Sequence, residues 1–273
     1  MRTDVCRSPP EKVPAMLVSF CRPVRIVLGA LLTLWTVALV GSLALELTNA
    51  PVAHSTVTWL FRSTSPLLVL IGWVLYAGGP RDGLGPIRLM VALGMSVSCL
   101  GDVVMGQIIP TPEPILTGIA VFGTAHIIYI IAFAIVAGRL GLTSARVRWA
   151  SMGMAVAVGV ACWSIFVRNP AAAAALNIGA LVYALIIGSM GGMALALALG
   201  DRRFIQTAVG AGLFMLSDVM LGAWALRDTR WEYIGEAVWW SYIIGQMLIV
   251  WSIGTLRKVA PDPDSSALAG NLS

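Results

Sequence analysis

Residues 26–45, IVLGALLTLWTVALVGSLAL, form an unbroken run of twenty residues without a single charge. A helix needs about 20 mostly apolar residues to cross the hydrocarbon core of a bilayer. The apolar region of a secretory signal peptide is shorter, at about 7–15 residues. The run therefore predicts a membrane-spanning helix that is retained in the protein.

The same apolar character extends along the whole sequence. Of its 273 residues, 58% are hydrophobic and 11% are charged. Soluble domains contain about 25% charged residues, so this protein has too little polar surface to face water. We expect an all-α integral membrane protein with no separate soluble domain. The net charge of +5 comes from basic residues placed singly or in pairs at the ends of apolar runs. This placement indicates membrane topology and excludes nucleic acid as the partner.

Breaks between the apolar runs divide the sequence into eight predicted spans. They are Val24–Thr48, Arg62–Gly78, Ile87–Ile109, Ile115–Gly138, Val147–Val167, Ala172–Leu199, Phe204–Leu226 and Tyr233–Leu256. The sequence thus predicts an eight-helix transmembrane domain at residues 24–256. It is flanked by an N-terminal tail at residues 1–23 and a disordered C-terminal tail at residues 257–273.

The distribution of basic residues predicts the orientation of these spans. Eight spans place both termini on one side, and fourteen of the 18 lysines and arginines fall on that side. The other side has Arg62, Arg168, Arg227 and Arg230. Basic loops are retained in the cytoplasm. We therefore expect a multi-pass protein of the cell membrane whose termini, and both tails, are cytoplasmic.

Spans three and seven share a short internal repeat. Residues 100–106 read LGDVVMG and residues 216–222 read LSDVMLG, so four of the seven positions agree. Both spans run in the same direction. The repeat is consistent with two parallel four-helix halves, as in other duplicated membrane folds.

Several polar residues lie inside the apolar runs. An ionisable group at this depth costs roughly 2.5–3.5 kcal/mol on insertion scales, so each one needs a reason. The clearest are Asp102 in span three, His126 midway along span four and Asp218 in span seven. Four more polar side chains lie one helical turn from these or from one another, namely Ser98, Tyr129, Tyr242 and Gln246. We expect these groups to converge on one polar cavity that opens toward the outer leaflet.

The sequence predicts no metal site and no cofactor. Zinc and haem sites need clustered histidines and cysteines. This protein has two histidines and four cysteines without paired spacing: His54, His126, Cys6, Cys21, Cys99 and Cys162.

Short motifs in five spans resemble one known family. They are Ser98 with Gly101-Asp102; Gly118 through Phe122 to His126 and Tyr129; Val182-Tyr183-Ala184 with Met190; Gly212-Leu-Phe-Met-Leu-Ser-Asp218; and Tyr242 followed by Gln246-Met-Leu-Ile. In this order they resemble the YhhN-like lysoplasmalogenase family of eight-span membrane proteins. The resemblance covers roughly residues 66–250.

The resemblance implies hydrolysis of the vinyl ether bond of a lysophospholipid, a lysoplasmalogen. The products would be a fatty aldehyde and glycerophosphoethanolamine or glycerophosphocholine. By motif position, Asp102 and Asp218 would be the catalytic carboxylates. His126, Tyr129, Tyr183 and Gln246 would line the site, and Ser98 and Tyr242 join them as substrate-binding candidates.

The sequence departs from the family pattern at the start of span two. Family members often carry a Lys-Pro pair there, whereas this sequence has Ser65-Pro66. If the family's lysine meets the lipid phosphate, Arg62, one turn earlier, would take that role. Arg227 and Arg230 on the same side are further candidates.

The implied reaction needs two carboxyl groups in different protonation states. A vinyl ether hydrolyses by protonation at carbon, and water then captures the oxocarbenium-like cation. One carboxyl group must stay protonated, while the other stabilises the cation or activates water, as in glycosidases. Asp102 and Asp218 are the expected pair, with their roles left open. His126 would orient one of them or assist proton transfer, so we count it among the catalytic candidates.

Three other classes of protein fit some of these residues. In a proton-coupled transporter of a small solute or lipid, Asp102, His126 and Asp218 would relay protons. An intramembrane aspartyl protease also uses two membrane aspartates, but its Tyr-Asp and Gly-x-Gly-Asp motifs are not matched here. In a structural or lipid-binding protein, both aspartates would tolerate neutral substitution.

Overall fold

We obtained a computed structural model of the protein, which describes residues 20–48 and 54–257. All regular structure in these residues is helical, and eight helices are long and apolar enough to cross a membrane. Their bounds are α1 Arg22–Leu47, α2 His54–Gly78, α3 Gly85–Met105, α4 Pro114–Leu140, α5 Ala145–Cys162, α6 Ala174–Gly200, α7 Ile205–Arg227 and α8 Ile234–Gly254. The predicted all-α class with eight spans is confirmed. Most of the two predicted tails, residues 1–19 and 258–273, lies outside the described residues.

Two helix ends differ from the predicted span boundaries. Helix α2 begins at His54, two turns before the predicted start at Arg62. The side chain of Arg62 lines a cavity inside the bundle. Helix α3 ends at Met105, before the predicted Ile109. Gln107 has a φ of 55°, and this left-handed turn ends the helix although the apolar sequence continues.

Helices that are neighbours in sequence pack in pairs: α1 with α2, α3 with α4, α5 with α6 and α7 with α8. Contacts of α8 with α2 and α3, and of α4 with α6, join these pairs into one bundle. Eight crossings place residues 20 and 257 at the same end. The opposite end, which we call the distal end, holds the α1–α2, α3–α4, α5–α6 and α7–α8 connections. Which end faces the cytoplasm, and whether the two halves are a true repeat, remain predictions.

Helix α5 is the most exposed of the eight spans and packs mainly on α6. Two glycines of α6 make this contact close. A Cβ on Gly188 would lie 2.9 Å from the Cα of Val156, and a Cβ on Gly192 would overlap the backbone of Met152. Small residues let membrane helices approach in this way. The middle of α5 therefore packs closely against α6.

The end of the bundle opposite the distal end contains a buried charge, Arg88, which is 2% exposed. Its guanidinium donates to both carboxylate oxygens of Asp82, at 2.9 and 2.7 Å. It also donates to the carbonyl oxygens of Pro80 at 3.0 Å and Leu256 at 2.7 Å. Burial acts to raise the pKa of Asp82, but the hydrogen bonds from Arg88 and Leu84 and the charge of Arg88 hold that pKa below its usual value. Arg88 thus joins the α2–α3 loop to the end of α8.

Replacing Asp82 with alanine should destabilise the protein by about 3 kcal/mol, because a buried guanidinium loses its counter-ion. The folded-state pKa of Asp82 is lowered, so its contribution is complete above the usual aspartate range and is lost as the pH falls through the lowered pKa. The difference in unfolding temperature between wild type and Asp82→Ala in detergent should therefore be largest near neutral pH and shrink below about pH 4. Asp228→Ala, which removes an exposed ion pair with Arg230, is the control. Equal losses in both variants would contradict the prediction.

Candidate active site

Two cavities lie side by side at the distal end of the bundle. The first, which we call the polar cavity, has a volume of about 580 Å³ and is bordered mainly by α1, α2, α3, α7 and α8. The second, the apolar cavity, has a volume of about 450 Å³ and lies between α4, α5, α6 and α7. The residues that line both are Met105, Phe122, Asp218, Leu221 and Ala225. The two cavities therefore adjoin, and Asp218 lies at their junction.

Asp102, in the last turn of α3, lies on the wall of the polar cavity. The hydroxyl of Ser65 on α2 donates to its Oδ2 at 2.5 Å, and the hydroxyl of Tyr242 on α8 donates to the same oxygen at 2.9 Å. An oxygen that accepts two hydroxyl donors is stabilised in its ionised form. Side chains of α2 and α8 therefore fix the position of the Asp102 carboxyl group.

Asp218, on α7, has a different set of partners. The hydroxyl of Tyr183 on α6 donates to its Oδ2 at 2.7 Å. The Nε2 atom of His126 on α4 lies 2.9 Å from that same hydroxyl and 3.9 Å from the carboxylate. Tyr183 therefore connects His126 to Asp218, and the side chain of Asp218 keeps 15% of its surface exposed.

The hydrogen positions in this triad follow from the donors. The single hydroxyl hydrogen of Tyr183 is given to Asp218, so its oxygen accepts from Nε2–H of His126. The Nδ1 atom of His126 is fully buried and has no hydrogen-bond partner among the described residues. A second proton there would be a buried donor without an acceptor, which costs about 1–3 kcal/mol or more. His126 is therefore a neutral imidazole, and the hydrogen-bonded series ends at its ring.

Besides His126, which is fully buried and lines neither cavity, three of the sequence-predicted site residues lie deeper than the cavities. Tyr129 donates to Gln246 Oε1 at 2.8 Å, and Gln246 Nε2 donates to Ser98 at 2.9 Å. All three are fully buried, and none lines either cavity. This network joins α3, α4 and α8 one turn below Asp102. These hydrogen bonds therefore support the inner end of the polar cavity from below.

Arg62 reaches the polar cavity from α2, and its guanidinium packs against Gly106 at the end of α3. Glu46 and Glu236 line the same cavity. Among the described residues, no carboxylate lies within 4.0 Å of the Arg62 guanidinium, so its charge faces the cavity without a counter-ion.

Arg227 and Arg230 do not line either cavity. Arg227 donates to the carbonyl oxygen of Ile165, and Arg230 pairs with Asp228. Of Arg62, Arg227 and Arg230, the structure places only Arg62 at the cavity that both carboxyl groups line.

Two contacts at this site are not evident from the sequence. Ser65 stands where family members often have the lysine of a Lys-Pro pair, and its hydroxyl binds Asp102. Phe214 was not singled out, yet its ring centroid lies 4.6 Å from that of His126 and 5.0 Å from that of Tyr242. Phe214 precedes Asp218 by four residues, and residues at i and i+4 share one helix face. This spacing could have predicted that Phe214 lies at the site.

Together the eight spans and the two partly buried carboxyl groups define a polytopic α-helical membrane protein with a polar site at one end of its bundle. The YhhN family model matches residues 57–253, so the protein belongs to the YhhN family. This match extends from α2 to α8 and confirms the resemblance drawn from the motifs. No curated protein and no solved structure gives a significant match.

Proposed function

We propose that this protein is a membrane-embedded hydrolase that cleaves the vinyl ether bond of lysoplasmalogens. The observation that carries the proposal is the position of two carboxyl groups on one cavity wall, with Asp218 also lining the adjoining apolar cavity. A lysoplasmalogen has a polar headgroup on one side of its vinyl ether and one hydrocarbon chain on the other. Such a molecule would fill both cavities with its reactive bond at their junction.

The proposed reaction consumes one water and needs no cofactor. A carboxylic acid transfers its proton to the vinyl carbon next to the hydrocarbon chain, which leaves an oxocarbenium ion and a carboxylate. Water adds to the cationic carbon and gives up a proton, so a hemiacetal forms. The hemiacetal hydroxyl then gives up its proton as the bond from its carbon to the glycerol oxygen breaks. The glycerol oxygen takes up a proton, and the products are a fatty aldehyde and the glycerophospho-alcohol.

The hydrogen bonds support different roles for the two aspartates. Asp102 accepts two hydroxyl donors on one oxygen, and both donors favour its ionised form. We assign it to stabilise the cation and to take the proton of the attacking water. Tyr183 donates to Oδ2 of Asp218, and Asp218 lines both cavities, so a proton on its Oδ1 would lie beside the bond that breaks. We assign Asp218 as the general acid.

Arg62 is the proposed partner of the lipid phosphate, because its charge faces the polar cavity without a counter-ion. Replacing Arg62 with alanine should raise KM about tenfold, since a hydrogen bond to a charged group contributes about 1.5–3 kcal/mol. We expect little change in kcat, because the phosphate lies away from the bond that breaks. Steady-state kinetics of Arg62→Ala beside Arg230→Ala checks this. Equal effects of the two variants, or a loss confined to kcat, would argue against the assignment.

The proposed function is tested by incubating the purified protein in detergent with a lysoplasmalogen and, separately, with the matched ester lysolipid. We expect fatty aldehyde from the vinyl ether and no fatty acid from the ester. Fatty acid from the ester, or no aldehyde from protein that is folded and monodisperse, would overturn the proposal.

A proton-coupled transporter is the alternative, because His126, Tyr183 and Asp218 form a hydrogen-bonded series. The buried Nδ1 of His126 has no partner among the described residues to which a proton could pass on, which weighs against a relay. Proteoliposomes separate the two functions. Uptake that depends on a pH gradient, with no chemical change in the solute, would favour transport.

A further inference from the structure

The polar cavity contains two carboxylates that the proposed reaction does not use. Glu46, in the last turn of α1, and Glu236, in the first turn of α8, both line the cavity and are partly exposed. Among the described residues, neither of them forms an ion pair. Two negative charges would repel a phosphate group that entered this cavity without a cation of its own. They therefore indicate a ligand that also carries a positive charge.

The two carboxylates come from different helices, but their charges act on one place. Helix α1 ends and helix α8 begins at the distal end of the bundle. The pKa of the exposed Tyr233 hydroxyl is raised mainly by its hydrogen bond to Glu232 and the charge of Glu232, and further by the charges of Glu236 and Glu46. Both glutamates therefore lie near this hydroxyl, at the distal end of the polar cavity.

The charged groups of the polar cavity lie at different depths. Ser65 and Tyr242 donate to the same oxygen of Asp102, so they mark one level across the bundle. Arg62 precedes Ser65 by three residues on α2, which places its backbone about 4.5 Å closer to the distal end. Glu236 precedes Tyr242 by six residues on α8, which corresponds to about 9 Å. From the inside outward, the order is therefore Asp102, Arg62 and Glu236.

This order of charges matches the order of groups in a zwitterionic lysophospholipid, which carries its reactive ether first, then its phosphate and last its ammonium group. In an ethanolamine or choline head, the phosphorus and nitrogen atoms are four bonds apart, which at roughly 1.5 Å per bond gives at most about 5 Å. The levels of Arg62 and Glu236 differ by about 4.5 Å. A phosphate at Arg62 would therefore bring the ammonium group to the level of Glu236.

An aromatic ring borders the same part of the cavity. Trp239 follows Glu236 by three residues, so the two side chains share one face of α8, and both line the cavity. The indole N–H of Trp239 donates to Thr64 at 3.2 Å, and its ring centroid lies 5.6 Å from that of Tyr242. These contacts fix the ring on the cavity wall. Tryptophan rings attract cations, including quaternary ammonium groups, so this wall can accept an ammonium group with or without N–H donors.

We propose that Glu46 and Glu236 form an ammonium site at the distal end of the polar cavity, and that this site selects lysolipids whose heads carry a cation beside the phosphate. Ethanolamine and choline heads present that cation, whereas a phosphoglycerol head presents the same phosphate without one. Arg62 binds the phosphate of every head, and the two glutamates distinguish one head from another. The inference rests on the proposed function for its kinetic test, whereas its binding test does not depend on turnover.

The kinetic test compares wild type with Glu46→Gln, Glu236→Gln and the double variant on lysoplasmalogens with phosphoethanolamine, phosphocholine or phosphoglycerol heads. In wild type, kcat/KM for the two zwitterionic heads should exceed the value for phosphoglycerol about tenfold, because only they gain the contacts of a cation with the carboxylates and the ring. Each single variant should reduce this preference about threefold, and the double variant should reduce it to within about twofold of unity, through losses on the zwitterionic heads.

Glu113→Gln is the matched control, because Glu113 is exposed at the distal end before α4 and lines neither cavity. Glutamine keeps the size of the glutamate side chain, so the variants change charge and not shape. No preference in wild type, or an unchanged preference in the double variant, would overturn the ammonium site.

The binding test uses lysolipids with a saturated alkyl ether, which has no vinyl carbon to protonate and is not cleaved by the proposed reaction. Dissociation constants for the three heads are measured by native mass spectrometry of the protein in detergent. Wild type should bind the zwitterionic heads about tenfold more tightly than the phosphoglycerol head, and the double variant should not distinguish them. Arg62→Ala should weaken binding of all three about equally, because each contains the phosphate.

The two tests separate the ammonium site from the proposed function. A binding preference that the double variant loses, together with no aldehyde from any vinyl ether, would retain the site and reject the hydrolase. Aldehyde released with equal kcat/KM from all three heads would retain the hydrolase and overturn the site. Equal weakening of all three heads by Glu46→Gln and Glu236→Gln would also overturn it, because the glutamates would then shape the cavity without binding the cation.

Discussion

Asp218→Asn should lower kcat for aldehyde release by about 100-fold to 10,000-fold, because a positioned general acid contributes a factor of this size. Asparagine has nearly the same shape and can still accept the hydroxyl of Tyr183, so the cavity and KM should change little. The measurement is steady-state kinetics of purified variants that are monodisperse in detergent. Reactions in deuterated water add a second readout, since proton transfer to carbon places one deuterium next to the aldehyde group in the wild-type product.

Asp102→Asn should also remove most of the activity, by about 100-fold to 1,000-fold, through loss of the negative charge that faces the cation. The substitution also leaves Ser65 and Tyr242 without a carboxylate to bind. Asp228→Asn at an exposed loop position is the control for both aspartates. Substantial activity in either Asp102→Asn or Asp218→Asn would reject the paired-carboxyl mechanism. Such tolerance is what a structural or lipid-binding role predicts.

The fold could be predicted from the sequence because membrane insertion constrains composition directly. In lipid, an apolar run such as residues 26–45 is stable as a helix, because a helix pairs its backbone N–H and C=O groups within the segment. Asp102, His126 and Asp218 could be found by the same reasoning, since an ionisable group in an apolar run is costly unless it has a function or a partner. Helix ends were less predictable. The end of α3 depends on a left-handed turn at Gln107, which apolar composition does not reveal.

The sequence predicts which residues belong to the site, but it does not predict which of them contact one another. Hydrogen bonds such as Ser65 to Asp102 join helices that are distant in sequence, so they depend on how the bundle packs. The hydroxyl of a serine in a membrane helix can also donate to a backbone carbonyl of the same helix. A serine such as Ser65 therefore does not by itself indicate a functional site. The polar residues in the apolar runs predict one polar cavity, whereas Asp218 lies between a polar and an apolar cavity. That division depends on how α4, α5, α6 and α7 pack around the apolar cavity.

The second large effect is expected at Tyr183. Its hydroxyl fixes the carboxyl group of Asp218, and the Nε2–H of His126 fixes the direction of that hydroxyl. We therefore assign Tyr183 and His126 as positioning residues that keep Oδ1 of Asp218 directed at the substrate. Tyr183→Phe removes only the hydroxyl and keeps the ring on the cavity wall. It should lower kcat about 100-fold, the effect of misplacing a reacting group by about 1 Å, with KM nearly unchanged.

A comparison of kcat in the single and double variants of His126 and Tyr183 distinguishes a positioning role from a general loss of stability. His126→Phe should lower kcat by a similar factor, and the double variant should be no worse than either single variant, because both changes break one hydrogen-bonded unit. Tyr76→Phe on α2, where the ring packs edge-on against Trp73 outside both cavities, is the matched control. Losses that multiply in the double variant would show that His126 and Tyr183 act separately. A rise in KM without a fall in kcat would instead place the Tyr183 hydroxyl in substrate binding, where it contacts the lipid and does not orient the acid.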